Sequence, residues 1–173
     1  MAISLINAPS TGQTGTVMAS GNMPAFMYCL SSSLQTISSS TATKIQTGVK
    51  IFDTANAFDG TTNYRFQPTV AGYYQINGQY SPYGVGAPER AFLMFYKNGS
   101  EYMRLQDIAV GNGGGAALKY VAGLSGSALI YLNGSTDYVE LWGWILPYSG
   151  TATISGNGTP SQTYISGCLV RAA

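Results

Sequence analysis

Between Tyr64 and Tyr80 the chain alternates. The even positions carry Tyr64, Phe66, Pro68, Val70, Gly72, Tyr74, Ile76, Gly78 and Tyr80, and the odd positions are mostly polar: Arg65, Gln67, Thr69, Gln75, Asn77 and Gln79. Side chains along a strand switch faces at every residue, so the pattern predicts one apolar and one solvated face. Pro68 cannot donate to a strand ladder, and Gly72 tolerates dihedrals that other residues avoid, so the run divides between them. Two strands joined by a tight bend are expected, with Gly72–Tyr80 at the centre of a sheet.

The same reading extends along the chain. Pro24–Leu30 is apolar on both faces and predicts an internal strand. Ser31–Thr43 is either a loop or an edge strand around Leu34 and Ile37. Lys44–Phe52 alternates, with Ile45, Val49 and Ile51 on one face, and Asp53–Asn56 and Asp59-Gly60 are turn signals. Pro82–Pro88 reads as a loop. Ala91–Tyr96 and Glu101–Leu105 then flank Lys97-Asn98-Gly99-Ser100, whose Asn-Gly pair supplies the positive φ angles of a type I′ hairpin.

Ala117–Gly123 and Ser127–Leu132 are further strands, and Asn133–Thr136 is a turn. In Asp137–Ile145 the residues Val139, Leu141 and Ile145 face inward, which leaves Trp142 and Trp144 on the opposite face. Pro147–Pro160 is an extended, Gly-rich loop with a short strand at Thr151–Ile154, and Thr163–Arg171 is the last strand. No helical period of useful length occurs. About ten short strands imply an all-β antiparallel sandwich or jelly roll. The first and last strands, apolar on two faces, belong side by side in the middle of one sheet.

Residues 1–22 have no clean period and precede this domain, which spans 23–173. They are expected to form a short extended arm docking on a neighbouring subunit or a larger assembly through its apolar anchors Ile3, Leu5 and Ile6.

Composition sharpens this picture. Charged residues are 9% of the 173 residues, against about 25% in an average soluble domain. The net charge of +1 gives no electrostatic case for a nucleic-acid or anionic-membrane partner. Twenty-two glycines and 13 tyrosines suit many turns and pleated, half-buried surfaces. So neutral a surface points to area hidden in an oligomer; the alternative is a monomer kept soluble by hydroxyls and amides. No apolar run approaches the ~20 residues of a membrane helix, and Met1–Ile6 lacks the charged and apolar regions of a secretion signal. Cys29 and Cys168, each in an apolar strand, are expected as reduced, buried core thiols of a protein made in a reducing cytoplasm.

Four stretches, in order, resemble the globular C1q/TNF-like jelly-roll domain. Pro24-Ala25-Phe26 is similar to its opening strand, and Tyr64–Ile76 to its Phe-x-x-Pro-x-x-Gly-x-Tyr-x-Phe core. Leu132–Leu141, with Asp137-Tyr138-Val139, is similar to its Leu-x-x-Gly-Asp-x-Val-x-Leu segment, and Tyr164–Leu169 to its closing Phe-x-Gly-Phe-Leu. The resemblance covers residues 24–171. It implies a ten-stranded jelly roll that assembles as a compact homotrimer, presents loops for binding and carries no catalysis. The chain departs from animal members in having no collagen-like stalk. Its Ser/Thr/Gly/Asn-rich style is closer to similar domains on bacteriophage virions.

Candidate chemistry is sparse. The absence of histidine removes Ser-His-Asp and Cys-His systems and the usual zinc ligands. The seven carboxylates, Asp53, Asp59, Asp107, Asp137, Glu89, Glu101 and Glu140, could in principle serve glycoside chemistry, yet most are expected in turns. Asp53, Asn56 and Asp59 could hold Ca²⁺, against the simpler reading that they cap turns. Gly111–Gly115 lacks the strand-before, helix-after context of a phosphate loop.

Tyr80, Tyr83, Trp142, Trp144 and Tyr148 could form a sugar-binding shelf or anchor a subunit contact. The contact is favoured, with Trp142, Trp144, Tyr73 and Gln75 as its residues. Tyr83, Asn112 and Tyr148 mark the possible ligand loops. The expected protein is a non-enzymatic, cofactor-free homotrimer on a phage virion, a capsid decoration or cement protein contacting other capsid or tail proteins. The alternatives are a tail or head-fibre module binding host surface glycans, and a free C1q-like lectin or ligand.

Overall fold

A computed structural model describes residues 23–83, 88–109, 123–147 and 150–173. Within them lie thirteen strands and no helix. They are β1 Ala25–Cys29, β2 Gln35–Thr36, β3 Thr43–Lys44, β4 Val49–Asp53, β5 Phe58–Asp59, β6 Arg65–Phe66, β7 Gly72–Tyr83, β8 Pro88–Lys97, β9 Ser100–Ala109, β10 Leu124–Leu132, β11 Val139–Pro147, β12 Thr153–Ser155 and β13 Tyr164–Ala172. Every described pairing is antiparallel. The excess over the expected ten is made of short pieces: β2, β3, β5 and β6 are two residues each.

Seven strands form one sheet in the order β2-β12-β7-β13-β1-β4, with β10 also on β7. Six form the other, β5-β6-β11-β8-β9, with β3 also on β11. The first and last long strands, β1 and β13, do lie together inside one sheet, between β4 and β7.

The alternation of the opening stretch holds. Phe66, Tyr74, Ile76 and Tyr80 have no exposed surface and point between the sheets, while Tyr73, Gln75, Asn77 and Gln79 line the outer face. The core is knitted across the sandwich by rings. Phe26 of β1 stacks on Phe66 of β6 at 4.1 Å and on Phe58 of β5 at 5.4 Å, Tyr28 stacks on Phe58 at 4.2 Å, and Tyr74 meets Phe66 edge-on. Such pairs add roughly 0.5–1.5 kcal/mol each beyond area burial. Tyr80 brings a hydroxyl into this interior and donates it toward the carbonyl oxygens of Phe92, 2.9 Å, and Trp144, 3.1 Å, on the opposite sheet. Burial drives its pKa far above that of a free phenol.

The hairpin forms as expected: Asn98 and Gly99 both take positive φ, 54° and 81°, between β8 and β9.

Several expectations are corrected. Gly72 is required for space, not for dihedral freedom: a Cβ there would lie 2.4 Å from the Arg171 carbonyl oxygen. Lys44–Phe52 is not one strand, since β3 belongs to one sheet and β4 to the other. Ile45 is therefore buried while Ile51, in an edge strand beside a register shift, is 44% exposed. Cys168 is exposed and Cys29 buried, because Cys168 sits opposite Gln75 on the outer face. Pro82 belongs to β7 and not to a loop. Six of the seven carboxylates lie in strands, Glu89, Glu101, Asp107 and Glu140 within them and Asp53 and Asp59 at their last residues. The arm with Ile3, Leu5 and Ile6, the Gly111–Gly115 tip with Asn112, the 117–122 part of an expected strand, and Tyr148 lie outside the described residues.

Candidate functional site: two contrasting outer faces

With both inner faces filled, functional contacts fall to the outer faces and the strand ends. On the six-stranded sheet the outward residues of β11 are Glu140, Trp142 and Trp144. Neither indole stands free. Trp142 stacks on Tyr96 of β8 at 4.1 Å with 13° between planes, and the Lys44 ammonium lies 5.9 Å from its ring. Trp142 Nε1 donates to Glu140 Oε2 at 2.9 Å, and Lys44 Nζ reaches Glu140 Oε1 at 2.6 Å, so the buried carboxylate is held twice. Trp144 stacks on Phe92 at 4.5 Å, and the Arg104 guanidinium carbon lies 4.0 Å from the Phe92 ring.

Asp107 binds Arg90 through two hydrogen bonds, 3.1 and 2.9 Å, and lies 3.7 Å from Arg104, which also reaches Glu101. The Arg90 hydrogen bonds hold the Asp107 carboxyl below its ordinary pKa. Two cation–ring–ring stacks thus cover the face, and Phe92 and Met94, though outward-facing, are buried. With ring faces turned toward one another, the cluster offers no flat aromatic shelf.

The outer face of the seven-stranded sheet is built differently. β10 lies beside β7 with Tyr131 opposite Tyr73 and Leu129 opposite Gln75. Beyond β7, β13 places Cys168 opposite Gln75, and Val170, two residues further on, shares its outer face. Tyr73 is 44% exposed, Tyr131 40%, Leu129 54% and Val170 54%. The patch continues around the sandwich edge, where Lys97 Nζ lies 5.9 Å from both the Tyr131 and Tyr102 rings and where Met103 is exposed. Lys97 is itself fixed by Asp137 at 3.0 Å. Burial works to raise the Asp137 pKa, but hydrogen bonds from Asn98, Lys97 and the Asn133 amide outweigh it and lower it.

The expected contact residues therefore divide. Tyr73 and Gln75 lie on one outer face, and Trp142 and Trp144 on the other; the sandwich does not bring them together. Tyr83, 60% exposed, stands at the end of β7, where its carbonyl accepts from the Thr153 hydroxyl. Tyr80 is in the core and belongs to no shelf. Leu129, Tyr131 and Val170 were not anticipated. The signal was present: β10 carries apolar residues at odd as well as even positions, Leu129 and Tyr131 beside Ala128, Ile130 and Leu132.

The calcium trio resolves into turns. Asp59 accepts from the amides of Thr61, Thr62 and Asn63 and from two side chains, which depresses its pKa strongly. Asp53 accepts from the amides of Ala55 and Phe58. Among the described residues no group of three or more His, Cys, Asp or Glu side chains could hold a metal ion, and no helix is long and apolar enough to cross a membrane.

This is a TNF-like jelly roll. Eiger TNF from S. frugiperda superposes with a TM-score of 0.61 at 12% identity, covering 87% of this chain and 94% of that one. Murine APRIL gives 0.59 at 8% identity, covering 86% and 99%. The globular domain of zebrafish complement 1qA gives 0.38 at 16% identity, covering 87% and 99%. At these identities the likeness to Eiger TNF and murine APRIL establishes the fold alone. No protein-family profile matches the sequence, and no curated protein matches it.

Proposed function

We propose that the chain is a non-enzymatic assembly module, a homotrimer that serves as a structural component of a virion surface. The observation that carries this reading is the group of exposed apolar side chains, Tyr73, Leu129 and Val170 on the face and Tyr102 and Met103 on the adjoining edge, with Lys97 between the Tyr131 and Tyr102 rings. It occupies a face and an adjoining edge, two different surfaces. Edge-on-face contacts are heterologous and close into a ring when the rotation permits. The fold resemblance supports a ring of three. A chain with 9% charged residues has little else to keep such a patch soluble.

The near-neutral, Ser/Thr/Gly/Asn-rich composition supports a place on a phage particle as a decoration or cement protein, contacting capsid or tail proteins. Sedimentation at micromolar concentration tests the assembly: three chain masses are expected, and a single chain mass defeats it. Co-purification with particles at fixed stoichiometry tests the virion role. A second reading, a receptor-binding module for host glycans, is favoured by Tyr83, the most exposed of the large hydrophobic side chains among the described residues. Glycan-array binding that is lost in Tyr83→Ala would support it.

A further inference from the structure

A second exposed apolar spot lies at the far edge of the seven-stranded sheet. β4 is an edge strand, and among the described residues it pairs with β1 alone. Among the described residues no strand pairs with its outer side, and it exposes Ile51 at 44% and Phe52 at 43%. An edge with unpaired amides and apolar side chains is a template for an added strand. Just beside it the preceding chain enters. Thr54, next after β4, donates its hydroxyl to the Met23 carbonyl at 3.3 Å and accepts from the Ala25 amide at 2.9 Å. Met23 is thereby held at the Asp53 end of β4.

We propose that the free edge of β4 receives residues 14–20 of the same chain, Thr14-Gly15-Thr16-Val17-Met18-Ala19-Ser20, as an added strand running parallel to β4. Reach allows it. The three residue steps from Ser20 to Met23 can span about 10 Å at ~3.3 Å each, and passing beneath β4 crosses two strand spacings, about 10 Å. Direction follows from the same geometry. β1 runs antiparallel to β4, and a segment that reaches Met23 by passing under the Asp53 end must arrive travelling with β4. Thr16, Val17 and Met18 suit a strand beside Ile51 and Phe52, and Gly21-Asn22 suits the crossing. Residues 1–13, with Ile3, Leu5 and Ile6, would remain beyond the sheet for other contacts.

The test is amide hydrogen exchange of residues 49–53 in the full chain, compared with full-length Val17→Pro, which removes a ladder donor from the added strand. Exchange in Val17→Pro is expected to be at least ~10-fold faster, with the β1 and β13 amides unchanged. A second variant, Val17→Asp/Met18→Asp, should do the same by placing charge against Ile51 and Phe52. Equal exchange in all three chains overturns the proposal. So does protection that grows with protein concentration, which would mean that another copy covers the edge. Sedimentation of the same samples separates this outcome from the trimer, since the oligomeric mass should be identical in all of them.

Discussion

The two outer faces of this sandwich are both aromatic, yet only one is finished among the described residues. On the six-stranded sheet Trp142 is held between Tyr96 and Lys44, and Phe92 between Trp144 and Arg104, with Glu140 and Asp107 anchoring the cations. On the seven-stranded sheet Tyr73 and Tyr131 touch each other at 5.4 Å, but Leu129 and Val170 are more than half exposed. Aromatic content alone does not mark an interface. What matters is whether each ring and aliphatic group already has a neighbour, because the gain from association scales with apolar area still in contact with water.

The largest way to break this comparison is to charge the open face. Leu129→Asp and Val170→Asp should each convert the proposed trimer to monomer. An aspartate forced against apolar surface costs about 2–3 kcal/mol per contact, repeated around the ring. The isolated fold should keep its melting temperature within a few degrees, since neither side chain packs in the core. A trimer surviving both substitutions would mean the contact lies elsewhere.

The closed face should answer in the opposite way. Trp142→Ala removes a ring that covers Tyr96 and donates to Glu140, leaving that buried carboxylate with Lys44 as its remaining side-chain partner. A loss of roughly 2–4 kcal/mol of folding stability is expected, measured by denaturant titration, with oligomeric mass unchanged. Dissociation without loss of stability would reverse the roles assigned to the two faces.

Acid should separate the faces more gently. Asp107 on the closed face and Asp137 beside the open one both have lowered pKa values. A carboxylate whose pKa is lower in the folded state stabilises above its unfolded value of about 4, and the contribution fades as pH falls through the lower folded value. Thermal stability should therefore be flat from pH 5 to 8 and fall below about pH 4. Asp107→Asn should flatten that fall without altering the mass of the assembly.

Which face points inward was legible in the sequence; what covers the outward face was not. The period of two in Gly72–Tyr80 and Val139–Ile145 assigned their inward residues correctly, and Asn98-Gly99 placed the hairpin. Those are local facts. The stacking of Lys44 on Trp142 joins residues far apart in the chain, and no short-range pattern encodes it. Ile51 was misplaced because one alternating run crosses from one sheet to the other, so a single phase was carried across a break. By sequence Tyr80 could join a sugar-binding shelf or a subunit contact, yet its hydroxyl ties the two sheets together from inside.

Cys168 shows the same limit and gives the subtlest probe of the comparison. An apolar residue in an apolar strand was expected in the core, but the side chain lies on the open face opposite Gln75. Cys29 is buried, and burial pushes its thiol pKa up, so it should resist alkylation until the protein unfolds. If three copies cover the open face, Cys168 should also react slowly in the native assembly and speed up several-fold in Leu129→Asp. Both thiols can then be followed in one mass-spectrometric time course, with Cys29 as the internal reference for unfolding. Equal Cys168 rates in the native and Leu129→Asp proteins would place Cys168 outside the contact and shift the interface toward the Tyr102 and Met103 edge.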